Sequence, residues 1–215
     1  MKDQLQLTLI KQLGPSILHV KIPQITIDVL NDYIDKIVKD KKKIKELNAG
    51  NKLVGDVTQE FMLESTFIIE SGWYAFLKSC VDKWIEVETK KKIKKFKVKN
   101  SWIVRQFKNE YNPTHWHGGH ISGVGFLKVP ATLGGHLQDK ENSHDYRGGY
   151  LELIHGARMF LCKSTLDLKP QVGDFYFFPH YLMHAVFPFK GTDDERRSIS
   201  FNATIDEEIY NVYGS

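Results

Sequence analysis

The sequence predicts an α+β protein that is mainly β, with a helix-rich N-terminal part followed by a barrel or sandwich of antiparallel strands. Up to residue 96, apolar positions recur at helical spacing, whereas later residues form short apolar runs separated by Gly, Pro, Asn and Asp. The sequence has no internal repeat, and 215 residues suffice for one sizeable core. We therefore expect a single domain over 1–215, in which a helix-rich part (1–96) buttresses a β core (97–205).

The N-terminal part should contain one strand and two helices. Alternating residues over 5–9 suggest an opening strand, and the apolar positions that follow Pro23 over 27–38 lie on one helical face. We expect this helix to end at 48–50 and a second helix to span 66–86. The aromatic stripe of the second helix is more typical of core packing than of a binding site.

The β core is predicted from seven apolar runs bounded by turn residues. A turn-rich segment over 134–149 interrupts them, and loops of this length are usually functional or disordered. The runs are VKNSWIVRQF, HISGVGFLKV, GGYLELIH, ARMFLCK, GDFYFFP, LMHAVFPF and RRSISFNATI. Their length and spacing favour antiparallel pairing.

Composition narrows the class of protein. Hydrophobic residues make up 41% of the chain and charged residues 26%, which is typical of a folded globular protein. The sequence contains no apolar run of about 18 residues that could span a membrane, and no apolar signal segment. We expect a cytoplasmic protein without a membrane partner. Cys80 and Cys162 lie in apolar contexts, so free core thiols are expected.

Lysines are concentrated over 39–45 and 90–99, and the formal net charge is +4. Such runs can bind nucleic acid. Here the apolar residues between the lysines favour solvated element ends whose apolar positions pack inward. Without an accompanying nucleic-acid motif, we expect no nucleic-acid partner.

Histidines of the β core have the spacing of a metal site. His115 and His117 are two apart in an extended segment, so both imidazoles can point the same way. His184 follows much later, at the start of another strand. Iron(II) oxygenases use three protein ligands on one face of the metal and leave the remaining positions open. The pair alone could equally be two surface imidazoles near a turn.

A polar set on the last predicted strand adds a second signal. Arg196 and Ser198 are two apart and share a face, as do Ser200 and Asn202. An arginine fork can bind a carboxylate through two hydrogen bonds, and a serine hydroxyl can add a third. The alternative is a surface arginine pair, Arg196 and Arg197, beside the acidic residues 193–195.

These motifs, in this order, resemble the 2-oxoglutarate/Fe(II)-dependent dioxygenase superfamily, and more narrowly the oxygenases of marine phages and bacteria with an HxH…H pattern. The resemblance covers roughly half of the chain. It rests on a tryptophan strand at Trp102, then HWH (115–117), SGVGFLKVP (122–130), GG (148–149), GDFYFFP (173–179), His184 and RRSISFN (196–202).

The resemblance implies a double-stranded β-helix, a jelly-roll or cupin-like barrel, with a helical N-terminal extension. It implies Fe(II) as cofactor, with 2-oxoglutarate and O2 as co-substrates. His115, His117 and His184 would bind the metal and serve as the catalytic set, while Arg196 and Ser198 would hold the 5-carboxylate of 2-oxoglutarate. The reaction would be a hydroxylation with release of succinate and CO2. The substrate, a small molecule or a protein side chain, is not written in the sequence, nor is the oligomeric state.

Position 117 departs from the wider superfamily, where Asp or Glu is usual. Three interpretations follow. All three histidines bind the metal; or a carboxylate such as Asp145 or Glu152 replaces one of the pair; or His117 with Gly118–Gly119 forms the His-x-Gly pattern in which halide replaces the carboxylate.

Two other functions are compatible with the same residues. A cupin-like three-histidine dioxygenase that does not use 2-oxoglutarate would explain the histidines but leave Arg196 and Ser198 without a role. The second alternative is a non-catalytic binding module that has the same barrel fold but no oxygenase activity.

Overall fold

The computed structural model describes residues 14–50, 53–135 and 146–211, and within them the chain is mainly β. The strands are β1 (Leu18–Lys21), β2 (Gln59–Met62), β3 (Phe96–Gln106), β4 (Asn112–His115), β5 (Ile121–Lys128), β6 (Leu151–Ile154), β7 (Thr165–Leu168), β8 (Asp174–Pro179), β9 (Met183–Val186) and β10 (Arg196–Ile205). The helices are α1 (Gln24–Ile37), α2 (Lys41–Leu47), α3 (Ser65–Glu70), α4 (Trp73–Thr89) and α5 (Glu207–Tyr210).

The strands form two antiparallel sheets. The larger sheet has the order β1-β8-β5-β10-β3-β2, and the smaller has the order β4-β9-β6-β7. From β3 onward the chain passes repeatedly between the two sheets, so neighbours within a sheet are distant in sequence. The mainly β, antiparallel character predicted from the sequence is confirmed.

Helices cover one face of the larger sheet. Ile103, Ile199 and Phe201 on this face belong to the same buried cluster as Leu30 of α1 and Leu77 of α4. Fully burying a side chain of this size stabilises the fold by about 1.5–3 kcal/mol. The helix-rich part therefore acts as a buttress behind the sheet.

The opposite face of the larger sheet meets the smaller sheet. Val124 and Phe126 of β5 share a second buried cluster with Leu151 and Leu153 of β6 and with Phe178 of β8. Consecutive residues of β5 and β10 thus point alternately to the helices and to the space between the sheets. This alternation decides which side chains of β10 face the space between the sheets.

The structure contains two helices, α1 and α2, where the sequence predicted one helix ending at 48–50. α1 ends at Ile37, and α2 begins after Asp40, whose carboxylate accepts hydrogen bonds from the backbone N–H groups of Lys42 (2.9 Å) and Lys43 (3.3 Å). An aspartate that caps a helix in this way starts a new helix, which is why the pattern does not continue unbroken. None of the α2 residues is buried, as expected for the solvated lysine run.

The predicted helix over 66–86 is also divided. Gly72 separates α3 from α4 with a left-handed φ of +77°, a conformation that glycine adopts without steric cost. The predicted strand over 5–9 lies outside the described residues, while β1 was not predicted. The turn-rich segment over 134–149 is described only at its two ends.

Two further expectations from composition can be compared with the structure. Cys80 is half-buried, but Cys162 is exposed, so the prediction of a core thiol was wrong for Cys162. Its neighbours Phe160 and Leu161 are exposed as well, because this apolar run is a hairpin tip and not a strand. In the described part of the chain, no helix is long and apolar enough to cross a membrane.

Candidate metal centre

Three histidines converge between the sheets. His115 ends β4 and lies directly opposite His184 of β9 in the sheet register, and His117 lies two residues beyond β4. One ring nitrogen from each histidine can be chosen so that all three lie within 4.8 Å of one another. His184 is buried, and the other two are half-buried. Among the described residues, this is the group of His, Cys, Asp and Glu side chains that could hold a metal ion.

Hydrogen bonds to the backbone orient two of the rings. The Nδ1 atom of His115 lies 2.7 Å from the carbonyl oxygen of Pro113, and Nδ1 of His184 lies 2.9 Å from that of Leu182. Because a carbonyl can only accept, Nδ1 carries the hydrogen in both rings and Nε2 keeps its lone pair. Metal-binding histidines usually show this arrangement, since the outer hydrogen bond selects the tautomer and aims the free nitrogen.

The environment keeps these histidines neutral. Burial lowers the pKa of His184 to about 3, and burial together with the neighbouring histidines lowers the pKa of His117 to about 4. Burial also lowers the pKa of His115. The Nε2 atoms of His184 and His117 are 3.2 Å apart, a distance that two protonated rings would not tolerate. Neutral imidazoles with inward lone pairs can bind a divalent metal.

A pocket opens beside the histidines and is lined mainly by apolar side chains. Trp102 makes an edge contact with His117, with ring centroids 5.5 Å apart, and Phe178 makes one with His184, at 5.0 Å. Ser198 and Ser200 of β10 also line the pocket. The walls are thus mainly apolar, and the two serines supply hydroxyl groups.

Arg196 lies on the pocket face of β10 and is buried without a charged partner. Its Nη1 donates to Oε1 of Gln106 at 3.0 Å, and its guanidinium lies over the ring of Phe126, 4.9 Å from the centroid. Neither Nε nor Nη2 has a hydrogen-bond partner among the described residues. Burial lowers the pKa of Arg196 to about 9. A buried guanidinium with two unpartnered nitrogens, which together carry three N–H groups, is costly unless an anion binds to it.

Arg197 faces the helices and is held by acidic groups. Its Nε lies 2.6 Å from Oε1 of Glu195, and its Nη2 lies 2.7 Å from Oδ1 of Asp35. Burial alone would lower the pKa of Arg197, but the hydrogen bonds to these two carboxylates raise it. Both arginines are only 1% exposed, so the alternative of a surface arginine pair was wrong.

The carboxylates considered as replacement ligands can be compared with this geometry. Glu152 is opposite Ala185 in the sheet register, whereas its neighbour Leu153 is opposite His184. Glu152 therefore points to the other face of the smaller sheet, where it pairs with Arg147 at 2.9 Å. Asp145 lies outside the described residues. Since His115 and His117 both converge on His184, the His-x-Gly interpretation leaves His115 unexplained.

Sequence reasoning missed several residues around this centre. Gln106 could have been found, because it shares a strand face with Trp102 and carries an amide that can meet a buried arginine. Glu60, which is fully buried on the short strand β2, gave no signal. Nothing in the sequence linked His180 to the metal centre, yet it forms two hydrogen bonds with the backbone of His117.

Comparison with known proteins agrees with this geometry. Residues 100–202 match the model of the family described as "Putative 2OG-Fe(II) oxygenase". No curated protein matches the chain.

Several solved structures share the fold. A prolyl-4-hydroxylase from Pseudomonas putida is 13% identical, with 89% of this chain and 93% of that chain covered and a TM-score of 0.54. HygX from Streptomyces hygroscopicus, with nickel and 2-oxoglutarate bound, is 10% identical, with coverages of 88% and 82% and a TM-score of 0.55. A viral collagen prolyl hydroxylase from Paramecium Bursaria Chlorella virus-1, in complex with 2-oxoglutarate, is 17% identical, with coverages of 87% and 94% and a TM-score of 0.51.

Proposed function

We propose that this chain is a 2-oxoglutarate- and iron(II)-dependent oxygenase and that its iron is bound by three histidines: His115, His117 and His184. The observation that carries this assignment is the convergence of three neutral imidazoles within 4.8 Å. Two of them, His115 and His184, donate Nδ1–H to backbone carbonyls and so direct Nε2 inward. Nitrogen ligands of this type suit iron(II). When bound, the iron and 2-oxoglutarate supply the oxidising chemistry with O2, and the protein supplies binding and orientation.

Arg196 and Ser198 would hold the far carboxylate of 2-oxoglutarate. The support is the two unpartnered nitrogens, Nε and Nη2, of Arg196, which lies fully buried on the pocket face of β10. Ser198 lines the same pocket two residues along the strand. A carboxylate placed against them would neutralise the guanidinium and accept its hydrogen bonds. Gln106 accepts a hydrogen bond from the third nitrogen of Arg196, Nη1, and so orients the guanidinium.

The architecture that supports this site is a double-stranded β-helix formed by β3 to β10. In the larger sheet these strands have the order β8-β5-β10-β3, and in the smaller sheet the order β4-β9-β6-β7. Each turn of the chain adds strands to both sheets, as in a jelly roll. We take the whole chain as one oxygenase domain, in which residues 1–96 buttress the barrel, and we place it in the cytoplasm.

The reaction we propose is hydroxylation of an unidentified substrate, with release of succinate and CO2. Solved structures of the same fold include enzymes named for prolyl hydroxylation and one with hygromycin B bound. These two substrate types, a protein side chain and a small molecule, are the classes to be tested first. The apolar wall formed by Trp102 and Phe178 would keep water from the reacting centre.

Anaerobic titration with iron(II) and 2-oxoglutarate tests the proposal. The wild-type protein should develop a visible metal-to-ligand charge-transfer band that saturates with 2-oxoglutarate. His184→Ala should lose iron binding while keeping its fold by circular dichroism. The matched control is His155→Ala, which alters an exposed histidine outside the cluster and should leave the band unchanged.

The outcomes separate the alternatives. Full iron affinity in His184→Ala would contradict the ligand set. Iron binding without any response to 2-oxoglutarate would favour the cupin-like three-histidine dioxygenase. His117→Asp, which restores the commoner triad of the superfamily, should keep iron binding.

A further inference from the structure

His117 differs from the other two histidines in how its backbone is held. His115 and His184 belong to β4 and β9 and face each other in the sheet register. His117 lies beyond the end of β4 and is followed by Gly118 and Gly119, the latter with a φ of +123°. Glycine restricts the backbone less than any other residue. The orientation of His117 therefore depends on contacts from other parts of the chain.

His180 supplies these contacts. The backbone N–H of His117 donates to the carbonyl oxygen of His180 at 3.1 Å, and the carbonyl of His117 accepts from Nδ1 of His180 at 2.8 Å. Since Nδ1 of His180 carries the hydrogen, Nε2 is left as an acceptor. The hydroxyl of Tyr210 donates to this Nε2 at 2.6 Å. A continuous chain of hydrogen bonds thus runs from α5 to the backbone of His117.

The ring of Tyr210 also fixes the far end of the glycine segment. It stacks on His120 with centroids 3.9 Å apart and planes 6° from parallel. The backbone N–H of His120 donates to the carbonyl of Ala203 at 2.8 Å, and Nδ1 of His120 accepts from the N–H of Ile205 at 3.0 Å. The segment 117–120 is therefore held between the end of β10 and α5.

We propose that Tyr210 is a positioning residue that holds His117 in its metal-binding orientation through His180. The inference rests on the proposed function, in which His117 binds the metal. Its consequence is that α5, far from the histidines in sequence, forms part of the metal centre. Losing the Tyr210 hydroxyl leaves Nε2 of His180 without its donor and loosens the ring that supports the His117 carbonyl.

Cobalt(II) binding to the full-length, metal-free protein tests this inference, with the dissociation constant read from the visible absorption of the bound metal. Tyr210→Phe removes one hydroxyl and keeps the ring that stacks on His120. We expect it to weaken cobalt binding about three- to tenfold, as for the loss of one hydrogen bond. The matched control is Tyr181→Phe, because Tyr181 is half-exposed beside His180 and its hydroxyl bonds to no described residue.

Repeating Tyr210→Phe in a His117→Ala background distinguishes positioning from general stability. The hydroxyl should then have no further effect on cobalt binding, since the ligand it positions is gone. An equal loss in both backgrounds, or no loss in the wild-type background, overturns the inference. His180→Asn keeps an N–H donor for the His117 carbonyl and should bind cobalt more tightly than His180→Leu.

The single variant His117→Ala separates this inference from the proposed function. If His117→Ala binds cobalt as the wild type does, His117 is not a ligand, and both the ligand set and the inference fail. If His117→Ala weakens cobalt binding but Tyr210→Phe does not, only the positioning role of Tyr210 fails.

Discussion

Two neighbouring arginines lie on opposite faces of strand β10 and differ in whether a carboxylate neutralises them. Arg196 and Arg197 are both 1% exposed. On the helix face, Arg197 is surrounded by the carboxylates of Glu195 and Asp35 and the side chain of Asn31. On the pocket face, Arg196 has one neutral hydrogen-bond partner, Gln106, and two nitrogens without partners among the described residues.

This difference shows how a buried charge that stabilises the fold can be distinguished from one that binds a ligand. A buried charge that is neutralised within the protein serves the fold, and removing one partner leaves the other uncompensated. A buried charge without a partner lowers stability, so it is expected where a ligand completes it. Glu60 extends the comparison. It lies opposite Val104 of the pocket wall, and neither carboxylate oxygen has a hydrogen-bond partner of good geometry among the described residues.

The largest expected effect is on co-substrate binding at the pocket face. Arg196→Ala should raise the half-saturating 2-oxoglutarate concentration about a hundredfold, since losing a two-pronged charged contact costs about 2–4 kcal/mol. The free energy of unfolding should change little, because removing an uncompensated buried charge offsets the lost packing on Phe126 and the lost hydrogen bond to Gln106. Titration of the charge-transfer band and urea unfolding measure the two quantities. Unchanged 2-oxoglutarate binding would remove the basis for the co-substrate site.

Arg197→Ala should show the reverse pattern. It leaves Asp35 and Glu195 without this partner, although Glu195 keeps Arg105 at 2.8 Å. We expect the free energy of unfolding to fall by about 2–3 kcal/mol. The half-saturating 2-oxoglutarate concentration should change less than about threefold. If the two arginine variants exchanged their effects, the face assignment of β10 would be wrong.

Glu60→Gln should make stability less dependent on pH. Burial raises the pKa of Glu60 to about 7; the amide of Asn112 opposes this shift and the charge of Glu110 adds to it. The folded protein therefore holds a proton that the unfolded chain releases near its ordinary pKa. The binding of this proton therefore contributes fully to the free energy of unfolding below the ordinary pKa of glutamic acid. The contribution is lost as the pH rises to about 7.

Urea unfolding at pH 5 and pH 8 measures this effect. Relative to Glu60→Gln, the wild type should lose about 2 kcal/mol between the two pH values, since one pKa unit corresponds to about 1.4 kcal/mol and the raised pKa lies between pH 5 and pH 8. Glu46→Gln, at an exposed position of α2, is the control and should follow the wild type. If the free energy of unfolding depended on pH in the same way in all three proteins, the pKa of Glu60 would not be raised in the folded state.

The smallest expected effect belongs to Ser198. Ser198→Ala should raise the half-saturating 2-oxoglutarate concentration about fivefold, because one hydroxyl hydrogen bond contributes about 1 kcal/mol. Ser101→Ala is the contrasting variant. Its hydroxyl lies on the helix face and accepts from Nε1 of Trp73 at 3.0 Å, so its loss should alter stability and leave 2-oxoglutarate binding unchanged. Equal effects of the two variants on 2-oxoglutarate would contradict a pocket role for Ser198.

Local patterns determined much of what could be predicted about this chain. The alternation of strand residues predicted that Arg196 and Ser198 would share a face opposite to Ile199 and Phe201. The structure shows this arrangement, since Arg196 lies over Phe126 and Ser198 lines the pocket, whereas Ile199 and Phe201 belong to the helix-side core. The HxH spacing likewise predicted that the imidazoles of His115 and His117 point the same way. They do converge, although His117 lies beyond the end of β4 and is held by His180. Such predictions succeed because side-chain direction along a strand repeats every two residues and needs no knowledge of the partner strand.

The tertiary structure alone decided which residues complete those patterns. Asp35 meets Arg197 across 162 positions of the chain, and Tyr210 meets His180 across 30. No periodicity in the sequence records such contacts, because they depend on how the sheets and helices pack against one another. For the same reason, strand alternation could place Arg196 and Arg197 on opposite faces of β10 but could not show that Glu195 and Asp35 surround Arg197.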